Sequence, residues 1–538
     1  MSPPTLRAAP LLVLTIAAAP SSAQEVKLEF GGSVPFGATG QAVGGGADVD
    51  GDGTPDVVVG STGAGRVDVL SGVDFTVLRT HLAPSPNIGT FGRAVDLVGD
   101  VDGDGRGDVA VATPIAGSGQ EAVAVYSGQT GGPIHSFTGH VEFGGYGRSV
   151  RGPGDVDGDG RADVLIGSWS FFGADKGAVE LRSGATGAIL FQWEGLSLGE
   201  SLGTSVSAAG DVDGDGFLDL AAGGAGLALT SLPHAGVAEV YSGKDGVRIH
   251  RWFGTVEEQE FGRAVGGGGD LDADGFDDVV VGSPGGGPFG RGMVEFFTGG
   301  TGAATFAREG TFFSKSYGFA VAIVGDANGD GRADVAVGDP DASFSPGVQL
   351  LSGSDGSILA SVHNELAFDR TGQSVSAVGD LDGDGLAEFV HGASRKSVGG
   401  VSLGVAAVVM GLCARYLPFG EGCSTSTYVP ALAVTGCPGP GGTGALEIRH
   451  APGDSTAFLL FGNGAGSTVL DGCELLLTGL APVVVPLPLG GAGQGSGEIT
   501  VPVTLPAVVP PTTFTMQAVV VDASLPLSTT NGLEVTLP

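Results

Sequence analysis

A nine-residue pattern, D-x-[DN]-x-D-G-x-x-[DE], occurs seven times in the 538 residues, and its spacing constrains the fold more than any other feature. The copies begin at 48, 100, 155, 211, 270, 326 and 380, at intervals of 52, 55, 56, 59, 56 and 54. A unit of that length, repeated in register, is one supersecondary element that buries its apolar face against copies of itself. Each copy carries oxygen-bearing side chains at positions 1, 3, 5 and 9 and Gly at position 6. They are Asp48, Asp50, Asp52 and Asp56; Asp100, Asp102, Asp104 and Asp108; Asp155, Asp157, Asp159 and Asp163; Asp211, Asp213, Asp215 and Asp219; Asp270, Asp272, Asp274 and Asp278; Asp326, Asn328, Asp330 and Asp334; and Asp380, Asp382, Asp384 and Glu388.

This is how a short loop wraps a hard cation. Alternate side chains turn inward, Gly allows the sharp bend, and the position 7 carbonyl can add an oxygen. Such oxygen-rich, flexible loops favour Ca²⁺ over Mg²⁺, so up to seven Ca²⁺ are expected. The last ligand stands at position 9 rather than 12 and no helical pattern flanks the loop, so these are not EF-hands.

Nine residues before each loop stands an aromatic residue or a substitute, followed by Gly: Thr39-Gly40, Phe91-Gly92, Tyr146-Gly147, Leu202-Gly203, Phe261-Gly262, Tyr317-Gly318 and Thr371-Gly372. After each loop come a short apolar strand such as Val57 to Gly60, an alternating strand ending in a turn such as Gly65 to Gly72, and a fourth strand such as Gly187 to Trp193. Four short strands per unit, seven times, predict an all-β chain built on a seven-bladed β-propeller. Glu25 to Gly31 has the fourth-strand pattern but precedes the first unit, so it is expected to join the last blade and close the ring.

The aromatic-Gly pair, the D-x-D-x-D-G-x-x-D loop and the following Gly-x-Val strand resemble the FG-GAP repeat of integrin alpha subunits over residues 25–412. The resemblance implies a propeller with Ca²⁺ in loops between the first two strands of each blade. Four or fewer blades carry such loops in integrins, whereas all seven repeats do here, a density more similar to bacterial exported FG-GAP proteins. Integrin ligand binding does not carry over, because it requires a beta subunit.

Charge and composition narrow the partners. The net charge is −35, and discounting the 27 carboxylates at ligand positions raises it to −8. The acidity is therefore mostly metal-ligand chemistry, and it argues against nucleic acid. Arg7, the apolar run Ala8–Ala19 and the small residues before Gln24 predict a signal peptide over 1–23 and a secreted or cell-surface location. The run is too short to span a bilayer, and no later apolar run of about 18 residues lacks Gly or Pro, so no membrane span is expected.

The expected domains are the signal peptide, the propeller over 24–412 and a small β-sandwich over 413–538. Strands in the last are expected at Ala457–Phe461, Cys473–Leu477, Ile499–Val503 and Met516–Val521. Its Gly-Cys pairs at 422–423, 436–437 and 472–473, and Ser528 to Leu533, resemble a C-terminal module of exported planctomycete-type bacterial proteins. Cys413, Cys423, Cys437 and Cys473 are the only cysteines. Two disulfides of undetermined pairing fit an exported chain, with a zinc site as the rival although no C-x-x-C occurs.

A catalytic inventory is missing. The eight His are scattered, no H-E-x-x-H or G-x-S-x-G occurs, and residues 24–412 contain no Cys. The chain is therefore read as a non-enzymatic binding or adhesion module for a protein or carbohydrate ligand. The alternatives are the scaffold of an extracellular polysaccharide-acting enzyme and a structural envelope component.

Three features have a bland reading and a functional one. His391, where other blades have Val or Ala, reads as a satisfied, partly buried core histidine. Arg106-Gly107-Asp108 spells an integrin-binding tripeptide, but Asp108 is position 9 of a loop and reads as a metal ligand. Trp193, Trp252 and the segment Ser168–Phe172 could stack on sugar rings, with blade packing the simpler reading. The position 7 side chains, Thr54, Arg106, Arg161, Phe217, Phe276, Arg332 and Leu386, are expected to be solvated or to lie against a neighbouring blade.

Overall fold

The seven units form seven four-stranded antiparallel sheets, six of them paired in sequence order from first strand to fourth and the seventh completed by the N-terminal strand. The computed structural model describes residues 26–409, apart from connections at 35, 85–90, 115–120, 140–144, 170–175, 227–233, 312–313, 315, 343–345, 364–368 and 399–400, together with the backbone of strands between 415 and 537. Blades are numbered here by the loop they carry.

Blade one consists of Thr39–Gly45, Val57–Ser61, Arg66–Leu70 and Val77–Leu82. Its second strand, Val-Val-Val-Gly-Ser, is buried at every position, which explains a continuous apolar run where a half-solvated strand would alternate. Its fourth strand is exposed at both ends and forms the outer edge. Second and third strands pair without a shift, whereas third and fourth slip at Val69/Leu70. The same slip recurs at Val125/Tyr126, Leu181/Arg182 and Val240/Tyr241, so the outer strand is bulged at one place in blade after blade.

The ring closes as expected. Val26–Gly31 pairs antiparallel with Val405–Val409 and completes the seventh sheet beside Glu388–Ala393 and Thr371–Gly379. The N-terminal strand thus ties the beginning of the chain to its last blade.

The core lies between blades. One cluster joins Val58, Val67 and Val69 of blade one with Val95, Val109 and Val111 of blade two, and Phe91 sits within it. Tyr146, Phe261 and Tyr317 enter the clusters of blades two, four and five in the same way. The aromatic, in the four repeats that have one, is therefore a wedge into the preceding blade. The Gly that follows has a positive φ, as at Gly262 (79°), and a Cβ there would stand 2.0 Å from the Val237 carbonyl oxygen. Left-handed backbone and close packing together demand Gly.

Trp193 and Trp252 pack as the simpler reading expects. Trp193 stacks on Tyr241 at 4.5 Å and donates to the Gly246 carbonyl at 2.8 Å. Trp252 lies 4.6 Å from Phe297 and donates to the Gly302 carbonyl. Ser170 to Phe172 fall outside the described residues.

His391 departs from its expected state. It is 4 % exposed, yet neither ring nitrogen has a hydrogen-bond partner among the described residues. Burial pushes its pKa down to about 4, so the ring sits neutral between Val375 and Ala407 of the flanking strands. The strand position was readable; the missing partner was not.

Between 415 and 537 all four expected strands are present, within Thr456–Gly462, Cys473–Thr478, Gly497–Thr504 and Thr512–Val521. They belong to antiparallel sheets that pair only among strands of this region. The side chains of all four cysteines lie outside the described residues.

Candidate metal centres

Each acidic loop folds around its own carboxylates. In the first, the Asp48 carboxylate accepts from Gly51 N–H at 2.5 Å and Gly53 N–H at 2.9 Å. Asp50 accepts from Asp52 N–H at 3.1 Å, and Asp52 accepts from Thr54 N–H at 2.8 Å. These are successive Asx-type turns, in which a short side chain replaces a backbone acceptor. Both glycines are left-handed, at φ 78° and 92°.

Position 9 has a different task. Asp56 opens the second strand, fully buried, and accepts from Val49 N–H at 2.7 Å and from Gly72 N–H at 2.9 Å in the turn after the third strand. Asp108, Asp163, Asp219 and Asp278 repeat the pair of bonds, with Gly128, Gly184, Gly243 and Gly299 as the distant donors. Those Gly, each after Ser or Thr, are site residues the sequence reading passed over. Their signal was a Ser/Thr-Gly pair recurring at one place in the repeat.

Positions 1, 3 and 9 converge. One oxygen from each of Asp48, Asp50 and Asp56 lies within 4.8 Å of the others, and the same holds for Asp100, Asp102 and Asp108, for Asp155, Asp157 and Asp163, for Asp211, Asp213 and Asp219, and for Asp270, Asp272 and Asp278. Ligands about 2.3–2.6 Å from one cation stand at most about 5 Å apart, so the spacing fits a shared ion of that size. Position 5 stands outside these triplets. Asp104 and Asp274 instead accept from Ser127 and Thr298 hydroxyls, at 3.4 and 3.2 Å, and Asp215 pairs with Lys244 at 3.2 Å.

Burial gives the triplets their electrostatic character. Asp56, Asp108, Asp163, Asp219 and Asp278 are each pushed up to about 6, first by desolvation, against the lowering effect of their backbone donors, with the nearby position 3 carboxylate raising them further. Asp334 is pushed to about 7 by the same leading cause. A cation among them would favour the ionised forms.

The last two loops vary the plan. In the sixth, Asn328 accepts from Asp330 N–H at 2.8 Å, while its amide NH₂ donates to Asp330 and Asp334 at 3.2 Å each. A donor thus faces the carboxylates where the other loops offer an acceptor. In the seventh, Glu388 accepts from Leu381 N–H at 2.7 Å, so the longer side chain reaches the amide that Asp serves elsewhere.

Adjacent loops are laced together. The position 8 N–H donates to the position 1 carbonyl of the preceding loop: Gly107 to Asp48 at 2.7 Å, Ala162 to Asp100 at 2.8 Å, Asp277 to Asp211 and Ala333 to Asp270 at 3.1 Å, and Ala387 to Asp326 at 2.8 Å. Pro55 holds position 8 in the first loop and has no N–H to give. Three position 7 side chains lie on the preceding loop, whereas Phe217 is 42 % exposed with Lys244 over its ring, so both expectations are met in different blades. Arg106, Arg161 and Arg332 approach the position 2 carbonyls of Val49, Val101 and Leu271 at 3.4–3.5 Å. The Arg106-Gly107-Asp108 tripeptide is built into this seam, with Gly107 and Asp108 buried.

Ala273, at position 4 of the fifth loop, adopts φ 63°, where the other six loops have Gly at φ 75–79°. A left-handed Ala carries strain that Gly does not. Ala273→Gly is expected to stabilise the propeller by about 1 kcal/mol, and Gly158→Ala, at φ 76° with open space around its missing Cβ, to cost a similar amount. Denaturation midpoints at fixed calcium check both. A neutral Gly158→Ala would remove the strain argument.

Known sequences share the repeat that carries these loops. The FG-GAP-like repeat profile matches residues 100–166, 155–222 and 270–337. The chain is similar to integrin alpha-5 of Xenopus laevis (31 % identical over 152 residues, 24 % of this chain and 14 % of the relative), to integrin alpha-V of Gallus gallus (26 % over 208 residues, 35 % and 19 %) and to integrin alpha-IIb of Mus musculus (34 % over 154 residues, 24 % and 15 %). The matched stretch spans less than a fifth of each relative's own length.

Proposed function

We propose that this chain, a seven-bladed FG-GAP-repeat propeller, is an exported, calcium-held binding module for a protein or carbohydrate ligand. The observation that carries the reading is the convergence of positions 1, 3 and 9 in loop after loop. Such acidic triplets repel one another unless a cation joins them, and oxygen-only ligands at this spacing suit Ca²⁺. The ion and the buried position 9 carboxylate act together: one neutralises the loop, the other ties it to the turn after the third strand. The two ends of the first and second strands are thereby held in every blade, and the remote face is left to carry ligand contacts. Export rests on the leader-like run Ala8–Ala19. Among the described residues, no helix is long and apolar enough to cross a membrane. A non-enzymatic role rests on the scattered histidines and the lack of a nucleophile motif.

Calorimetric titration of chelator-stripped protein with Ca²⁺, and separately with Mg²⁺, tests the reading. We expect several Ca²⁺ per chain, tighter than Mg²⁺. The five all-Asp loops are expected to fill first. The sixth fills last, because Asn328 removes one charge and must turn its amide over before an oxygen can face the ion. Asp48→Ala should therefore remove a tight phase and Asp326→Ala a weak one. No Ca²⁺ uptake would end the proposal, and the reverse order would end the ranking.

A further inference from the structure

A cavity of about 210 Å³ lies on the propeller axis, lined by the first strands of all seven blades. Its chemistry is set by the residue after each aromatic-Gly pair, since that residue begins the first strand at the end remote from the acidic loop. Three of these seven are arginines, Arg93, Arg148 and Arg263, and the other four are uncharged. Placing three guanidinium groups around one axis is unexpected for a chain of net charge −35.

The three are not equally satisfied. Arg93 forms a bidentate pair with Glu121, at 2.7 and 3.0 Å, and donates to the Tyr146 carbonyl. Arg151, deeper in the cavity, faces Asp96 at 3.8 Å. Arg148 and Arg263 have no carboxylate within ion-pair distance among the described residues. Arg148 lies over the Trp169 ring at 4.9 Å, and its Nε is buried without an acceptor. Arg263 lies over the Phe319 ring at 4.2 Å. Burial lowers the pKa of both: Arg148 falls to about 9, with Arg263 and Arg93 adding to the effect and Glu121 opposing it, and on Arg263 the nearby Glu260 carboxylate opposes the shift while Arg370 adds to it.

Arg148 and Arg263 are half-buried, and cations withdrawn from water without an ion-pair partner carry a desolvation cost that a counter-charge relieves. An aromatic face beneath each guanidinium fixes its plane and leaves the in-plane N–H groups for an acceptor. Planar, forked donors match the oxygens of carboxylate, sulfate and phosphate.

We propose that the axial cavity is a binding site for an oxyanion group, held by Arg148 and Arg263 and presented on a ligand small enough for a space of about 210 Å³. The site is independent of the metal loops, which stand at the other end of the first strands. Its failure would leave the calcium reading intact, and the reverse also holds.

Direct titration of the calcium-loaded full chain, with free Ca²⁺ held constant through each addition, tests it, with sulfate and citrate as free anions and glucuronate against glucose as the anionic-sugar arm. Saturable binding of at least one of these oxyanions, weakened by raised salt and lost for glucose, is expected. Whether citrate or glucuronate binds more tightly tells a free acid from a sugar acid. Arg148→Gln and Arg263→Gln should each weaken binding about ten- to a hundredfold, as loss of a charge-assisted bond predicts, and Arg148→Lys should weaken it less than Arg148→Gln. If a Gln variant does not fold, a saturating rise in wild-type melting temperature with glucuronate over glucose, at equal ionic strength made up with chloride, decides. Absence of saturable binding and of that rise, or binding unchanged in folded Gln variants, overturns the assignment.

Discussion

Removal of divalent cations is expected to lower the melting temperature of the propeller sharply at pH 7.5 and hardly at all at pH 4.5. A millimolar-class loop with Ca²⁺ at ten times its Kd gains about 1.4 kcal/mol, and six or seven such loops together gain about 8–10 kcal/mol, comparable with the whole stability of a domain. The pH dependence follows from position 9. With no ion, burial raises the pKa of Asp56, Asp108, Asp163, Asp219 and Asp278 from 3.8 to about 6 and that of Asp334 to about 7. A carboxylate whose folded pKa is raised contributes stability below its unfolded pKa, and that contribution is lost as pH rises through the folded value. The metal-free fold therefore weakens from about pH 4 to pH 7, and this is the range in which the ionised loops gain a cation. Melting curves with excess calcium and with excess chelator should diverge as pH rises. Superimposable curves at pH 7.5 would contradict both the site and the calcium reading.

How much of this was legible depended on whether a feature was local and repeated. The loop oxygens recur in all seven units and the aromatic wedge in four, and the closing strand Val26–Gly31 repeats the fourth-strand pattern, so the repetition in one sequence shows them. The backbone state of position 4 was half legible. Six Gly and one Ala suggested a special conformation, but only the φ of 63° at Ala273 shows that it is left-handed. Partnerships between distant residues were not legible. The bond from Gly128 to Asp108 is made by the pairing of two strands within one blade, and only the recurring Ser/Thr-Gly pair hinted at it; Arg148 and Arg263, 115 positions apart, are brought together only by the closure of the ring. The missing partner of His391 belongs to the same class: an absence in three dimensions leaves no local trace.

Within one loop, the division of labour between ion and backbone predicts three different outcomes from three substitutions in the second blade. Asp102, at position 3, is partly exposed and accepts from Asp104 N–H at 3.1 Å within the same loop. Asp102→Ala should therefore lower stability in calcium but leave the chelated protein almost unchanged. Asp108 is fully buried and accepts from Val101 and Gly128 N–H groups at 2.8 Å each. Asp108→Ala strips both donors of their partner, at about 1–3 kcal/mol apiece, so a loss of about 2–5 kcal/mol should persist in excess chelator. Asp108→Asn keeps one acceptor and removes the charge that burial disfavours, so it should lose calcium dependence with a smaller penalty in chelator. Arg106 reaches the Val49 carbonyl only at 3.5 Å, and Arg106→Ala should cost less than about 1 kcal/mol in either condition. The same geometry bears on adhesion. With Gly107 and Asp108 buried in the seam between two blades, a receptor has no access to the tripeptide, and cells should attach equally to wild type and Arg106→Ala, or to neither. Attachment abolished by Arg106→Ala at unchanged melting temperature would reverse this reading. An Asp108→Ala protein that melts with wild type in chelator would show that position 9 serves the ion alone.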